Sequence, residues 1–374
     1  MSLDVVQGHR KKNHVIYIPK RLINKYKCDF MIVNWTFQEN DKLNAEARML
    51  LLLMYLDAES DNFYRKPVLY MARKYQASER LIRRCLRLLI EAKVILLIPE
   101  KEAPRKRGRP VTRYQLTGID FDELSSQFEQ RPIYMRRWMN HLWYSNQHAK
   151  ELTLSNRLML THLLSEATES GTVDSISLRD LCRFMGCTER KAQAMFSKLR
   201  RLGYIKGYIK GLSHSVLRKR KSIIFLNLSM YDHDQSYYSF IAHLKSSGAL
   251  NPVYNLTIPL LFQKVADVKC NKEFAEHIDY FIESEIIKFI NVEGKVCTDI
   301  EWYERVIREH FAWATLKLEK EKVNKLIEFL AYRALDLART IRALDVVDGK
   351  QFAIGINEKN QRLLLKRGPN FLSE

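Results

Sequence analysis

From Ser78 to Ile95 the chain reads SERLIRRCLRLLIEAKVI, and its apolar and cationic positions separate at helical spacing. Arg80, Arg83, Arg84 and Arg87 recur at i, i+3, i+4 and i+7 and share one face. Ile82, Cys85, Leu86 and Leu89 share the other. Ser78 stands where an N-cap hydroxyl can accept from a free first-turn amide. The spacing predicts an amphipathic helix with a guanidinium stripe outside and a core stripe inside. Such a stripe suits the negatively charged major groove of DNA; a solvated basic face on an ordinary surface helix is the alternative.

The pattern returns at Thr188–Ile205, TERKAQAMFSKLRRLGYI. At a constant offset of 110 residues Ser78 falls on Thr188, Glu79 on Glu189 and Arg80 on Arg190. Cys85 falls on Met195, Leu86 on Phe196, Leu89 on Leu199 and Ile95 on Ile205. Apolar spacing alone is common to all amphipathic helices. A shared cap, Glu-Arg pair and following strand point further, to a duplicated domain.

The elements around each copy follow the same order. In residues 42–118 a strongly apolar helix spans Leu43–Leu56. A second helix, Val68–Tyr75, has Pro67 at its start, where proline costs nothing. The arginine helix follows a short turn, Gln76-Ala77. Leu96–Glu100 and Thr112–Leu116 then read as strands bracketing the basic loop KEAPRKRGRPV. In residues 151–229 helices are predicted over Leu154–Ala167, Leu178–Met185 and Glu189–Leu202. A small strand at Val173–Ser177 precedes the second of them. Strands at Tyr204–Ile209 and Ile223–Leu228 bracket a loop carrying Arg218, Lys219, Arg220 and Lys221. Helix, helix, turn, helix, strand, loop, strand is the order of a winged helix. The expected fold is mainly α with small β-hairpin wings: two tandem winged helices followed by a mostly helical C-terminal domain.

The two third helices differ in chemistry. The second turns Arg190, Gln193, Ala194, Ser197 and Arg201 outward, flanked by Lys191 and Lys198. Gln can pair with adenine, Arg with guanine, and Ala can meet a thymine methyl. This face is expected to read sequence, and the arginine stripe to supply phosphate attraction. In the first wing Arg105, Lys106, Arg107 and Arg109 cluster. Arg107-Gly108-Arg109-Pro110 resembles the RGRP core of AT-hook motifs, which implies insertion into a narrow A·T-rich minor groove. Phosphate contact or an exposed hairpin are the other readings.

Outside the duplication, residues 1–41 read as an arm with strands at Val15–Pro19 and Phe30–Phe37, either packing on the first domain or touching DNA. Residues 119–150 form a connector in which Tyr134, Trp138 and Trp143 mix with Arg136 and Arg137. Aromatic and basic residues together can stack on single-stranded bases, though at helical spacing they more often pack between domains. Residues 230–374 are predicted helical at Ile258–Lys264, Glu273–Ile290 and about Asp299–Leu344, with a hairpin around Asn357–Asn360. Val323, Ile327, Leu330, Ala334, Leu337, Ile341 and Leu344 form a heptad stripe, open to core packing or to self-association.

Charge sharpens the division. The net charge is +19, and residues 1–230 hold 42 Lys and Arg against 22 Asp and Glu. Residues 231–374 hold 20 against 21. The cationic excess belongs to the duplicated front, as expected of a polyanion-binding part joined to a part with another job. Six scattered cysteines fit free thiols rather than disulfides or zinc. Asp232, His233 and Asp234 lack a distant fourth ligand and make a weak metal site, so none is expected. There is no signal-like apolar start and no run long enough to span a membrane, so a cytoplasmic, nucleoid-associated protein without a membrane partner is expected. No glycine-rich phosphate loop, HExxH or GxSxG occurs. The reading is a DNA-binding protein, not an enzyme, without a cofactor.

Tandem winged helices, each with a basic third helix and basic wing, resemble the Rep-type replication initiators of theta-replicating plasmids over about residues 42–229. The resemblance implies that both domains contact double-stranded origin repeats beside an A·T-rich segment. It implies base contacts from Arg190, Gln193, Ser197 and Arg201, with Arg80, Arg83, Arg84 and Arg87 as the second set. It also implies self-association and contact with host replication proteins. The roughly 145 residues after the second winged helix depart from that family. A transcriptional regulator with a C-terminal oligomerisation or effector domain, and an accessory factor of a recombinase or nuclease, are the other readings.

Overall fold

The computed structural model describes residues 43–58, 63–98, 113–117, 133–231, 238–244, 256–344, 351–357 and 361–367. The N-terminal arm, the first wing with Arg105, Lys106, Arg107 and Arg109, and the Asp232-His233-Asp234 cluster lie outside these residues. What is described is mainly helical, with small antiparallel sheets.

The first half runs α1 (Ala45–Asp57), β1 (Phe63–Tyr64), α2 (Val68–Lys74), α3 (Glu79–Glu91), β2 (Ile95–Ile98) and β3 (Arg113–Leu116). The connector supplies α4 (Ile133–Tyr144) and α5 (Asn146–Glu151). The second half repeats the order: α6 (Leu154–Ser165), β4 (Thr172–Val173), α7 (Leu178–Met185), α8 (Glu189–Arg201), β5 (Ile205–Ile209) and β8 (Ile223–Leu226). A hairpin of β6 (Leu212–His214) and β7 (Arg218–Arg220) lies between β5 and β8. The two sheets share a topology, β1-β3-β2 and β4-β8-β5, with the last strand central in each. The pair Ile95↔Leu116 recurs as Ile205↔Leu226, at an offset of 110 on both strands. The sequence reading foresaw the small strand between the first two helices only in the second half; β1 is its counterpart, and it pairs with β3 through Tyr64↔Tyr114.

α1 and α6 are buried around most of their circumference because both are wrapped by neighbours: α1 packs on α3 and α6, and α6 also packs on α4, α7 and α8. One continuous core therefore joins both halves and the connector. Trp138 is fully buried in it, and buried Trp143 donates from Nε1 to Thr161 Oγ1 at 2.9 Å. Both rings are buried where α4 packs on α6, and they present no face for base stacking.

The C-terminal region carries α9 (Ile258–Ala266), α10 (Lys272–Glu293), α11 (Ile300–His310) and α12 (Lys320–Ala343). It also carries a sheet ordered β10 (Phe352–Ile356), β11 (Arg362–Arg367), β9 (Tyr238–His243). The single helix expected over Asp299–Leu344 is two helices. After His310 the chain extends, and the Ala312 amide bonds Val216 O at 3.0 Å in the second wing. A 3₁₀ turn at Trp313–Leu316 then ends on Lys317 with positive φ. Burying Phe311 and Trp313 requires that turn. Of the heptad stripe, Ile327, Leu330, Ala334 and Ile341 are buried in the chain's own core, so the stripe does not form an open seam for a second copy.

This second core reaches the front through Ile209 of β5, Val216 and Leu217 of the β6–β7 hairpin, and β8, which both cores share. On β8, Ile224 and Leu226 face the first core, and Ile223 and Phe225 face the second. The strand is buried on both sides, hence its unbroken apolar run. On β3 only Tyr114 and Leu116 are buried, so the C-terminal region leans on the second sheet and not the first.

Candidate nucleic-acid interface

α3 and α8 are built alike at both ends. Ser78 Oγ accepts from the Leu81 amide at 3.2 Å, and Thr188 Oγ1 from the Lys191 amide at 3.4 Å. Each cap relieves a first-turn donor, and Glu79 and Glu189 add negative charge at the positive helix end. Each helix closes through a left-handed residue, Lys93 (φ 58°) or Gly203 (φ 80°), whose amide returns to the carbonyl three residues back, Ile90 or Arg200. The turns before the helices match too: Gln76 (φ 51°) and Gly186 (φ 55°) are both left-handed.

Between these ends the faces separate as the spacing predicts. Ile82, Cys85, Leu86 and Leu89 are buried, as are Ala192, Met195 and Leu199. Arg80, Arg83, Arg84 and Arg87 are exposed, as are Arg190, Lys191, Gln193, Ser197 and Arg201, with Lys198 half-buried. Burial pushes the Cys85 thiol up to about 11, so it is a neutral core group. Arg80, Arg84, Arg87, Arg190 and Arg201 carry no hydrogen bond or ion pair among the described residues. Arg83 Nη2 meets Glu79 at 2.9 Å, and Gln193 Nε2 donates to Glu189 at 3.2 Å, equivalent pairs one helical turn apart. Lys191 is held by Glu46 of α1 at 3.2 Å. Burial pushes the Glu46 carboxyl up, but hydrogen bonds from Ser155 and its own amide, with the Lys191 ammonium, hold it below its ordinary value.

The segment between β5 and β8, expected from the sequence to be a basic wing, is less free than its four cations suggest. Arg218 and Lys219 are exposed, but Arg220 is half-buried and donates to His310 Nε2. Lys221 bonds Ser175 O and lies 3.8 Å from Asp180. Val216 and Leu217 at the hairpin tip are buried against the C-terminal helices. The wing's apolar tip docks it, and only Arg218 and Lys219 remain open as cationic contacts.

The two faces are held in fixed relation by an exchange of arginines. Arg48 of α1 is fully buried and donates to Leu43 O at 2.8 Å and to Phe184 O, near the end of α7, at 2.6 Å. Arg157 of α6 is buried and donates to Tyr75 O, at the end of α2. Each half thus caps the second helix of the other, which is the reciprocity of a two-fold interface. Glu46 and Ser155, at equivalent places after the caps Asn44 and Thr153, face each other across it, and the Ser155 hydroxyl helps to lower the Glu46 carboxyl.

Sequence reasoning passed over the exposed cations of the second helices: Lys66, Arg73 and Lys74 around α2, and Arg179 and Arg183 on α7. Their signal was helical spacing away from Met71 and Leu181, which are buried. It also passed over Glu79 and Glu189 as tethers, although an i, i+4 Glu-Arg pair is visible in SERLIR. Among the described residues no cluster of three or more His, Cys, Asp or Glu could hold a metal, and no helix is long and apolar enough to cross a membrane. Comparison with protein-family models, with curated protein sequences and with solved structures finds no match.

Proposed function

We propose that the chain is a sequence-specific double-stranded DNA-binding protein whose halves are tandem winged helices, most simply an initiator that binds repeats at a replication origin of a plasmid or other mobile element. One observation carries the reading. Two helices 110 residues apart, with matching caps, turns and strand register, each bury an apolar face and present an exposed cationic one. A duplication kept only for packing has no need of cations on both outer faces. In this reading α8 supplies base contacts through Arg190, Gln193, Ser197 and Arg201. α3 supplies phosphate attraction through Arg80, Arg84 and Arg87, and Arg83 joins when Glu79 releases it. The reciprocal Arg48–Arg157 packing makes the two readers one rigid unit, so a single chain grips two adjacent half-sites.

The test is binding-site selection by the full chain on random and genomic DNA. Recovery of directly repeated sites, and dependence of plasmid maintenance on this gene supplied in trans, would support initiation. A single palindrome beside a promoter would instead mark a transcriptional regulator. Pools without enrichment would remove sequence-specific DNA binding altogether.

A further inference from the structure

A cleft of about 680 Å³ lies where the second wing meets α10 and β10. That volume is in the range of small-molecule sites. Its floor is one face of α10, with Tyr280, Phe281, Ser284 and Lys288, and one wall is the wing strand with Lys219 and Arg220. The ionic partners are unevenly matched. Each carboxylate in the cleft already has a partner: Asp174 accepts from Tyr280 at 3.4 Å, Glu285 from Lys288 at 2.6 Å and Glu169 from Arg367 at 3.4 Å. Of the wing cations in the cleft, Lys221 has Asp180 at 3.8 Å, whereas Lys219 and Arg220 have no carboxylate partner among the described residues. Arg220 is half-buried, yet its partner is His310 Nε2, which accepts only if the imidazole is neutral. Burial, with Arg220 and Lys288 nearby, holds that imidazole down to about 4, so it is neutral near pH 7. Lys219 makes no hydrogen bond or ion pair among the described residues.

Partly buried charges ordinarily find a counter-charge. Here no carboxylate reaches the guanidinium fork that faces the cleft, and its planar donors match phosphate oxygens. Beside it Phe281 stacks on His310 at 3.6 Å between centroids, and Tyr280 adds ring surface to the same floor. We propose that this cleft binds a phosphorylated, ring-bearing small molecule of nucleotide size. Lys219 and Arg220 hold its phosphates, and the Tyr280–Phe281 floor takes its ring. The site has no glycine-rich phosphate loop, so it is an effector site rather than a site of hydrolysis. A second consequence rests on the DNA-binding reading: the ligand draws Lys219 and Arg220 away from DNA, and DNA affinity falls when the cleft is filled.

Calorimetric titration of the full chain with ATP, without DNA or divalent metal, tests the site independently of that reading. One saturable site per chain is expected, with weaker binding of adenosine and of inorganic phosphate alone. Lys219→Glu and Lys288→Glu, both at exposed positions that leave the core intact, should each weaken ATP by about tenfold, or 1.4 kcal/mol. Arg84→Ala on α3 should leave it unchanged. Absence of saturable binding up to about 1 mM ATP overturns the proposal. So does equal binding by Lys219→Glu and wild type, or an equal loss in Arg84→Ala, which would mean general attraction to a cationic surface. A second titration with DNA present reads the coupling; ATP binding without any change in DNA affinity keeps the site and removes its regulatory role.

Discussion

Arg48 and Arg157 stand 109 residues apart, and each donates to backbone carbonyls at the end of the other half's second helix. Neither bond uses a carboxylate. Burial alone pulls the Arg157 guanidinium down to about 10, still charged at neutral pH. Carbonyls at helix ends carry partial negative charge, so a buried guanidinium there serves as a C-cap supplied from another domain. Arg157→Met keeps the stem length and removes the donors, leaving the Tyr75 carbonyl unpaired in the core. The expected cost is about 2–4 kcal/mol of unfolding free energy, read by chemical denaturation of the full chain. Arg157→Lys should recover little of it, because a point charge cannot reproduce the fork. A loss below about 0.5 kcal/mol would mean that the exchange does not join the halves.

Gly186, at that joint, and Gly203, outside it, give a matched pair. Both are left-handed, at φ 55° and 80°. A Cβ at Gly203 would meet nothing within 4 Å, whereas at Gly186 it would lie 2.3 Å from Leu43 O and 3.1 Å from Arg48 Nη2. Gly203→Ala should therefore cost only the backbone strain, about 1 kcal/mol. Gly186→Ala adds a backbone clash that must push α1 away, for a total of about 3 kcal/mol or more. Equal melting shifts for the two variants would show that α1 does not press on the α7 turn. The equivalents in the first half, Gln76 and Lys93, hold left-handed backbone without glycine, so Lys93→Gly should be neutral to mildly stabilising.

Much of this was legible in the residues. Caps, core stripes and the 110-residue repeat are local, and local rules place them well. Apolar runs alone do not say which sheet is covered twice: β8, IIFL, is buried at all four positions, whereas β2, ILLI, leaves Leu96 and Leu97 exposed. What the sequence hid is long-range. Arg48 and Arg157 look like ordinary polar interruptions of apolar helices until the partner helix end is brought to them. The break at Phe311–Lys317 was equally hidden, because the apolar spacing runs on through residues that turn inward to meet Val216. The cationic wing misled for the same reason. Four adjacent basic residues say nothing about which of them a neutral histidine or a nearby backbone carbonyl has already engaged.

His310 makes the joint between wing and C-terminal region sensitive to acid. Burial first, then Arg220, Lys288 and Arg218, holds its imidazole down to about 4, against an ordinary 6.5. A histidine depressed in the fold binds fewer protons folded than unfolded. Its contribution is complete above about pH 6.5 and is lost as pH falls toward 4. His162, stacked on Phe184 at 3.9 Å, is held down similarly and adds to the same window. His310→Gln keeps an acceptor for Arg220 but cannot titrate. The slope of stability against pH between 6.5 and 4 should fall by up to one proton in that variant, measured by urea denaturation at each pH. An unchanged slope would show that His310 is not held buried against the hairpin in solution.

The two helix faces should separate in their DNA energetics. If α8 reads bases, Arg190→Ala or Arg201→Ala costs about 1–3 kcal/mol on the selected site and little on unrelated duplex, so the specificity ratio falls. If α3 meets phosphates, Arg84→Ala or Arg87→Ala weakens every sequence alike and lowers the salt slope by about one. The whole chain, neutralising about eight phosphates, should show log affinity falling with log salt at a slope near −7; a slope near zero would exclude the electrostatic part. The tethers sharpen the comparison. Glu79 holds Arg83 and Glu189 holds Gln193, so if these faces meet DNA each carboxylate competes with it for its neighbour. Glu79→Gln should raise affinity on all sequences by freeing a guanidinium and removing a negative charge from the interface. Glu189→Gln should change which base is preferred opposite Gln193. If both variants merely raised affinity uniformly, α8 would be a second phosphate contact, and sequence reading would have to come from elsewhere in the chain.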